Sequence, residues 1–218
     1  MQDFDFATTL TMLLGAARWT LMLSAIAFTF GGAMGLLVMV MRISPIRPLR
    51  WISRLYIEFF QGTPLLVQLF LIFFGLPILI GYNISPLLSA SIALTVYTSA
   101  FLADIWRGCV ESISRGQWEG SAALGLGFLQ QLWHVILPQA IKISLPPSIG
   151  FLVQVVKNTS LTAIIGYVEL TRQGQILNNV TFRPFAIFLM VGAIYFVICF
   201  PLSRYSKVLE SKLAARQG

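Results

Sequence analysis

A lysine followed by three small polar residues interrupts an apolar stretch of membrane-spanning length. Lys157, Asn158, Thr159 and Ser160 lie within "LPPSIGFLVQVVKNTSLTAIIGYVEL". An ionisable side chain inside a membrane span is costly, and it usually faces a cavity or an oppositely charged partner. An ammonium group beside short hydrogen-bonding side chains is suited to a small solute that carries a carboxylate. We therefore predict that Lys157, Asn158 and Ser160 bind substrate.

A second interpretation of this lysine is a permanent ion pair. Counted from Leu145, Lys157 lies about 18 Å along a helix, near or a little beyond the middle of a hydrocarbon core of about 30 Å. At that depth its ammonium group reaches a membrane surface with difficulty. A carboxylate of Glu58, Asp104 or Glu169 could instead fasten it to another helix. The residues alone leave both interpretations open, and the substrate-binding one is favoured.

A second group of polar and helix-breaking residues interrupts another apolar run. Gln61, Gly62, Thr63 and Pro64 occur in "FFQGTPLLVQLF". Broken helices expose backbone carbonyls and amides, and in transporters such breaks often lie at binding sites. The alternative is an ordinary helix start, with Thr63 as N-cap and Pro64 as the first helical residue. Both interpretations are compatible, and Gln61, Gly62 and Thr63 are included in the predicted substrate site.

The composition indicates a membrane protein, so membrane-spanning helices must position these residues. The chain has 218 residues, of which 57% are hydrophobic and 11% charged, and a mean hydropathy of +0.81, unlike a water-soluble domain. Because a span needs about 20 mainly apolar residues, five transmembrane helices are predicted. They cover residues 10–41, 51–80, 87–106, 145–167 and 184–204. We expect an all-α membrane protein that forms a single domain over residues 1–218.

The segment before the fourth predicted span is assigned to the membrane surface. This segment, "WHVILPQAIKISLPP", contains His134, Lys142 and several prolines. These residues are poorly suited to a hydrocarbon core. We therefore expect an interfacial segment rather than a sixth span.

The distribution of basic residues predicts the orientation. The net charge is +7, but in a membrane protein the position of the charges is informative and no nucleic-acid partner is expected. Eleven of the 15 basic residues lie in alternate loops or in the tail: Arg42, Arg47, Arg50, Arg54, Arg107, Arg115, Lys142, Arg204, Lys207, Lys212 and Arg216. The positive-inside rule therefore places the N-terminus outside and the C-terminus in the cytoplasm.

The longest predicted loop, within residues 110–138, has helical character of its own. Two short helices are expected around Gly125 and Gly127, with one apolar face and one polar face. Such a pair could lie on the membrane surface or dock onto a partner protein. Periodicity alone does not distinguish these two possibilities.

Other motifs point to packing rather than catalysis. Asp104 and Arg107 are three residues apart and predict a structural ion pair, and Gly31 and Gly35 form a GxxxG motif typical of close helix packing. The two cysteines are far apart in sequence, and no metal-binding spacing or catalytic arrangement is evident. No Gly-Lys-Ser or Gly-Lys-Thr occurs, so a Walker A phosphate loop is missing. The chain is thus not predicted to be an enzyme or to bind a cofactor or metal.

The loop carries a spaced pattern that resembles the cytoplasmic signature of ABC importer permease subunits. That signature is Glu-Ala-Ala, three residues, Gly, nine residues, then Ile-x-Leu-Pro. Here Glu119-Gly120-Ser121 is followed at the same spacings by Gly125 and by Val135-Ile136-Leu137-Pro138. The stretches "FFQGTPLLVQLF", "SAFLADIWRGCVESISRGQWEGS" and "LPQAIKISLPPSIGFLVQVVKNTSL" resemble the branch that takes up polar amino acids.

This resemblance implies the transmembrane domain of a type I ABC importer in the bacterial inner membrane. Loop residues would couple it to the ATPase: Glu119, Gly120, Ser121, Gly125, Leu137 and Pro138. The implied partners are a second permease chain, identical or paralogous, two cytoplasmic ATPase subunits that bind ATP and Mg²⁺, an external solute-binding protein and membrane lipid.

An acidic or neutral polar amino acid is the favoured substrate, because only Glu58 and Glu169 are candidate carboxylates at pathway depth. The alternative is a secondary transporter or channel for a small carboxylate-bearing solute.

Overall fold

A computed structural model describes residues 5–215, which leaves Arg216 of the basic tail outside the described part. Within that range the chain is helical and contains no strand. Its helices are α1 Phe6–Ile43, α2 Arg47–Gly62, α3 Leu65–Ile80, α4 Pro86–Glu111, α5 Arg115–Ala123, α6 Phe128–Ile165, α7 Leu170–Thr181 and α8 Pro184–Ala214. A π-helical turn interrupts α3 at Leu71–Gly75 and α6 at Leu132–Ile136.

The helices confirm the predicted all-α membrane architecture. In residues 5–215, four helices are long and apolar enough to cross a membrane: α1, α4, α6 and α8. Helices α2 and α3 pass the same test only as a pair, and they are bent by 101° at the break between them. The bundle therefore has five spans when this pair is counted as one. The predicted span over residues 51–80 is not a single straight helix.

The helix of the fourth span begins earlier than the predicted span. Helix α6 runs from Phe128 to Ile165 without a gap, so the segment that contains His134 and Lys142 is its first part. As expected, this segment is not a sixth span, but it is helical and continuous with the fourth. Pro146 and Pro147 lie inside the helix, and there the hydroxyl of Ser206 in α8 donates to the Pro146 carbonyl at 2.7 Å. This bond joins α6 to α8 beside the two prolines.

Glycines bring α1 and α4 into close contact, as the GxxxG motif predicts. A Cβ atom added to Gly31 would lie 2.7 Å from the Cβ of Thr98, and one added to Gly35 would lie 2.9 Å from the Ser99 carbonyl oxygen. Both distances are shorter than a normal contact, so only glycine allows this approach. Since Gly31 meets Thr98 and Gly35 meets Ser99, the two helices run in parallel.

One end of the bundle is rich in arginine, and we call it the basic end. It is defined by Arg42 at the end of α1, Arg47 at the start of α2 and Arg107 in the last turns of α4. A hydrophobic cluster lies there that includes Met39, Ala103, Val110, Leu132 and Leu137. The chain between α4 and α6 is therefore packed onto the basic end.

The break between α2 and α3 is held by one buried glutamine. The side-chain amide of Gln68, only 4% exposed, donates to the carbonyl of Phe60 at 2.8 Å, the carbonyl of Thr63 at 3.1 Å and the hydroxyl of Thr63 at 2.9 Å. The last carbonyls of a helix have no partner within the helix, and Gln68 supplies one. Thr63 is the C-cap of α2 and Pro64 the N-cap of α3. The alternative with Thr63 as N-cap is wrong.

The glycine contact predicts a position-specific loss of stability. Replacing Gly35 with alanine should destabilise the bundle by about 1–3 kcal/mol, because overpacking forces α1 and α4 apart. Gly15→Ala in the same helix is the control, since its Cβ would meet nothing within 4 Å. The melting temperatures of purified Gly35→Ala and Gly15→Ala in detergent measure the two effects. Equal melting temperatures would contradict the close contact.

The glutamine contact predicts local opening of the break. In Gln68→Leu the Phe60 and Thr63 carbonyls lose their donor, which costs about 1–3 kcal/mol for each buried group left unsatisfied. Hydrogen–deuterium exchange of the peptide that covers residues 59–68 should become faster. Gln173→Leu, in a half-buried part of α7, should leave this peptide unchanged. Unaltered exchange in Gln68→Leu would show that the bend does not depend on this side chain.

Candidate functional site

Lys157 lies deep inside the fourth span. It occupies the last α-helical turn of α6, after which the chain continues as a 3₁₀ helix over Thr159–Ile165. It is about 22 Å further along the helix than Lys142. Its side chain is exposed. A charged group at this depth is thus accessible on the surface of the isolated chain.

No carboxylate of residues 5–215 forms an ion pair with Lys157. The three candidates have other partners: Glu58 binds Arg54 at 2.6 Å, Asp104 binds Arg107 at 2.8 Å, and Glu169 accepts from the Tyr195 hydroxyl at 2.8 Å and the Arg172 backbone amide at 2.9 Å. The permanent ion pair considered for Lys157 is therefore absent from this structure. Asp104 and Arg107 do form the predicted pair.

Polar side chains surround the end of the α-helical part of α6. The Gln154 amide donates to Asn158 Oδ1 at 3.3 Å, and the Tyr97 hydroxyl of α4 lies near Asn158. The Ser160 hydroxyl donates to the Lys157 carbonyl at 2.7 Å. Its oxygen still has lone pairs available to accept a further hydrogen bond. The structure thus brings Lys157, Asn158 and Ser160 together and adds Gln154 and Tyr97 to them.

An exposed stripe extends along α6 from this group toward the basic end. Pro147, Gly150, Gln154 and Lys157 are all exposed, and spacings of three and four residues place them on one helix face. A face that carries an amide and an ammonium group is unfavourable against lipid tails. It is suited to an aqueous cavity or to a second protein chain.

Aromatic rings fix the position of α4 against α6 beside the polar group. The rings of Phe101 and Phe151 are stacked, with centroids 5.3 Å apart and planes inclined by 12°, and Tyr97 lies 4.5 Å from Phe101. Such pairs add about 0.5–1.5 kcal/mol beyond the area that they bury. The Tyr97 hydroxyl is thereby held next to Asn158.

The residues at the helix break are connected to this group through the core. Leu65 and Leu69 of α3 belong to the same hydrophobic cluster as Phe151 and Val155 of α6. Gln61 and Thr63 are half-buried and Gly62 is exposed. No hydrogen bond joins the break to Lys157, Asn158 or Ser160 within the described range. Helices α3 and α6 therefore pack together beside the two parts of the predicted site, but the structure shows no direct contact between those parts in residues 5–215.

The chain between α4 and α6 forms the expected helical turn around its glycines. Helix α5 ends at Ala123, and Gly125 adopts φ +79°, a left-handed conformation that favours glycine. Gly127 is the N-cap of the next helix, and its backbone amide donates to Gln130 Oε1 at 3.0 Å. Two helices around the glycines are thus confirmed. The second one is not short, because it continues as α6.

The predicted coupling residues are divided between the surface and the core. Glu119, Gly120, Gly125 and Pro138 are exposed, whereas Ser121 and Leu137 are buried. Leu124 and Leu129 are large apolar residues on the same surface, with 81% and 63% of their area exposed. Exposed apolar residues that lie close together are typical of a binding surface. The small residue at position 121 permits close packing of α5.

Gln154, Tyr97 and Gln68 were not identified from the sequence. The i, i+4 spacing of Gln154 and Asn158 on one helix could have revealed the first of them. Tyr97 and Gln68 act across helices, and no local pattern indicates such contacts. No group of three or more possible metal ligands occurs in the part of the chain that the structure describes.

Comparison with known proteins supports the resemblance found in the loop. The family described as "Binding-protein-dependent transport system inner membrane component" matches residues 27–215. The probable amino-acid ABC transporter permease protein YckA of Bacillus subtilis is 35% identical over 90% of this chain and 86% of its own length. The probable glutamine ABC transporter permease protein GlnM of the same organism is 37% identical over 89% of each chain.

Solved structures show the same fold. A chain of "an amino acid ABC transporter with histidines" is 34% identical, with a TM-score of 0.87 over 97% of this chain and 100% of that one. A chain of the MetNI methionine ABC transporter, at 20% identity and a TM-score of 0.71, covers 91% of this chain and 96% of its own; it supports the fold alone. The chain therefore belongs to the binding-protein-dependent transport system inner membrane component family, the permease subunits of ABC importers.

Proposed function

We propose that this permease subunit imports a polar amino acid and that Lys157 binds the substrate carboxylate during transport. The observation that carries the proposal is an exposed lysine, inside a membrane span, with no ion pair in residues 5–215. Similar proteins are named as glutamine, L-cystine and arginine permeases. All amino acids carry the carboxylate that such a lysine would recognise.

The surrounding groups are suited to the rest of a zwitterion. Asn158 Oδ1 and the Ser160 hydroxyl oxygen are acceptors for a substrate ammonium group. Gln61, Gly62 and Thr63 supply further polar atoms at the break, where a helix interruption exposes backbone groups. The pocket is then completed by side chains on two different spans.

The pairing and burial of the candidate carboxylates favour an acidic or neutral polar substrate. Glu58 and Asp104 are paired with arginines, and Glu169 is fully buried. A substrate with a cationic side chain would need a free carboxylate near Lys157. None of the three candidates is available for that purpose.

A second permease chain, identical or paralogous, would complete the pathway. The exposed stripe of α6 and the exposed side chain of Lys157 require a partner or a water-filled cavity within the membrane. A dimer in which the α6 stripes of the two protomers face each other provides both a partner chain and a water-filled cavity. The translocation pathway would then lie between the protomers.

The energy would come from partner subunits, since the sequence has no Walker A loop. Two ATPase subunits, which bind ATP and Mg²⁺, would dock at the basic end around Glu119, Gly120 and Gly125, where Leu124 and Leu129 are exposed. An external solute-binding protein would deliver the substrate at the opposite end. This arrangement places the basic end and the C-terminus in the cytoplasm and the N-terminus outside the inner membrane.

Helix α6 provides a mechanical connection between the two sites. It begins at Phe128 beside the loop and reaches Lys157 without a gap. A displacement of the loop, caused by closure of the ATPase dimer, would therefore move the substrate-binding turn as one body. Leu137 and Pro138 lie at the point where the π-helical turn passes into the regular helix.

Lys157→Met should abolish transport while the complex still assembles. Uptake of glutamine or glutamate into proteoliposomes that contain the complete importer should fall at least tenfold, because the carboxylate loses its counter-charge. Lys142→Met is the matched control, since Lys142 is also exposed on α6 but lies nearer the basic end. Transport with unchanged affinity and selectivity in Lys157→Met would refute the proposed role.

Gly125→Val should weaken the association with the ATPase subunits. A β-branched residue is strained at φ +79°, so the turn between α5 and α6 would be distorted. Gly108→Ala in α4 is the control, because a Cβ there meets nothing within 4 Å and Gly108 is not among the proposed docking residues. Co-purification of the ATPase with each permease variant measures the effect. Equal recovery with both variants would argue against docking at this turn.

A further inference from the structure

Helix α2 carries a continuous polar stripe from the basic end to the break. It consists of five residues spaced three or four positions apart: Arg47, Arg50, Arg54, Glu58 and Gln61. All five are exposed or half-buried. Such spacing places them on one face of the helix.

The other faces of α2 show that this stripe is not the lipid-facing one. Ser53 and Ile57 are buried against the bundle. A third face presents Trp51, Leu55 and Phe59, with 64%, 45% and 57% of their areas exposed. Apolar side chains of this kind are suited to lipid, which leaves the polar stripe for a different environment.

Arg54 and Glu58 lie near the middle of the bundle. Between them, Tyr56 is hydrogen-bonded to the Ser99 hydroxyl at 2.6 Å and donates to the Val96 carbonyl at 3.3 Å. Ser99 lies midway between the two ends of α4. Charged groups at this depth must face water or another protein. We place the polar stripe of α2 on the aqueous pathway.

The two charged side chains neutralise each other within that stripe. Arg54 Nε lies 2.6 Å from Glu58 Oε1, and the side chains are 61% and 57% exposed. Glu58 is one helical turn from Gln61 and Gly62, which belong to the proposed substrate site. An exposed ion pair of this type contributes little to stability. Its consequence is that the carboxylate nearest the break carries no free negative charge.

We propose that Arg54 is a specificity-determining residue. Arg54 pairs with Glu58, the one carboxylate of the α2 stripe that could bind a cationic substrate side chain. The substrates lysine and arginine are therefore disfavoured relative to neutral and acidic amino acids. The inference rests on the proposed function, because it requires that an amino acid passes the break. A substrate cation would have to displace a guanidinium that is held on the same helix.

Direct binding to the permease–ATPase complex without the solute-binding protein tests this role, because the external protein would otherwise impose its own selectivity. Radiolabelled lysine, glutamine and glutamate are measured separately. In Arg54→Gln, binding of lysine relative to glutamine should rise about two- to fivefold, the range that an exposed ion pair supports. In Glu58→Gln, which leaves Arg54 unpaired, binding of glutamate relative to glutamine should rise instead. Arg47→Gln, in the same stripe at the basic end, should change neither ratio.

The double variant Arg54→Gln/Glu58→Gln separates charge from altered packing. It should lose the gain in lysine binding, whereas a loosened helix would keep it. Unchanged ratios in Arg54→Gln would overturn the role of Arg54. If that variant does not fold, an unchanged glutamate ratio in Glu58→Gln would overturn it. If Lys157→Met loses amino-acid binding while the ratios in Arg54→Gln are unchanged, the proposed function stands and only the role of Arg54 is overturned. Unchanged binding in Lys157→Met would refute the proposed function itself.

Discussion

Polar groups inside a membrane need partners, and this constraint governs the structure. Where α2 ends within the bundle, the amide of Gln68 binds the carbonyls of Phe60 and Thr63, which allows a bend of 101°. Where α7 begins, the fully buried carboxylate of Glu169 accepts hydrogen bonds from Tyr195 and the Arg172 amide. Against this background the ammonium group of Lys157 is a charge inside a span that has no ion pair in the described chain, as is the guanidinium of Arg18 in α1. The same constraint that supports the fold therefore indicates the candidate site.

The connection between the site and the basic end is a single helix. Because α6 extends from the glycine turn to Lys157, the docking surface and the proposed substrate turn belong to one element. Helix α2 approaches the same region from the basic end and stops at the break. The proposed pathway is thus bordered by the exposed stripe of α6 and the polar stripe of α2, which together present amide, ammonium and ion-paired groups. Neither stripe is suited to lipid, which is the physical reason to expect a second chain.

Patterns within one helix were predictable, whereas contacts between helices were not. The apolar runs predicted the spans, and the glycine spacing predicted close packing of α1 but not that α4 is its partner. Asp104 and Arg107, three residues apart on one helix, formed their ion pair. The prediction of one straight helix for the second span was wrong, because Gln68 stabilises a bend that hydropathy does not indicate. The helix of the fourth span extends further toward its N-terminus than the predicted span, because α6 includes the prolines and the lysine of the segment that was assigned to the membrane surface.

The amino-acid sequence by itself determined the membrane class, the family through the spaced loop pattern, and Lys157 as a charged residue at membrane depth. These properties depend on composition and on local spacing along the chain. The tertiary structure decided that Glu169 is unavailable to that lysine, because Tyr195 of α8 donates to its buried carboxylate, whereas Glu58 and Asp104 pair with arginines three or four residues away on their own helices. It also decided that Tyr97 meets Asn158 and that Gln68 holds the break. Glu169 and Tyr195, like Tyr97 and Asn158, are distant in sequence, and the Gln68 contacts cross a helix break, so only the folded chain specifies them.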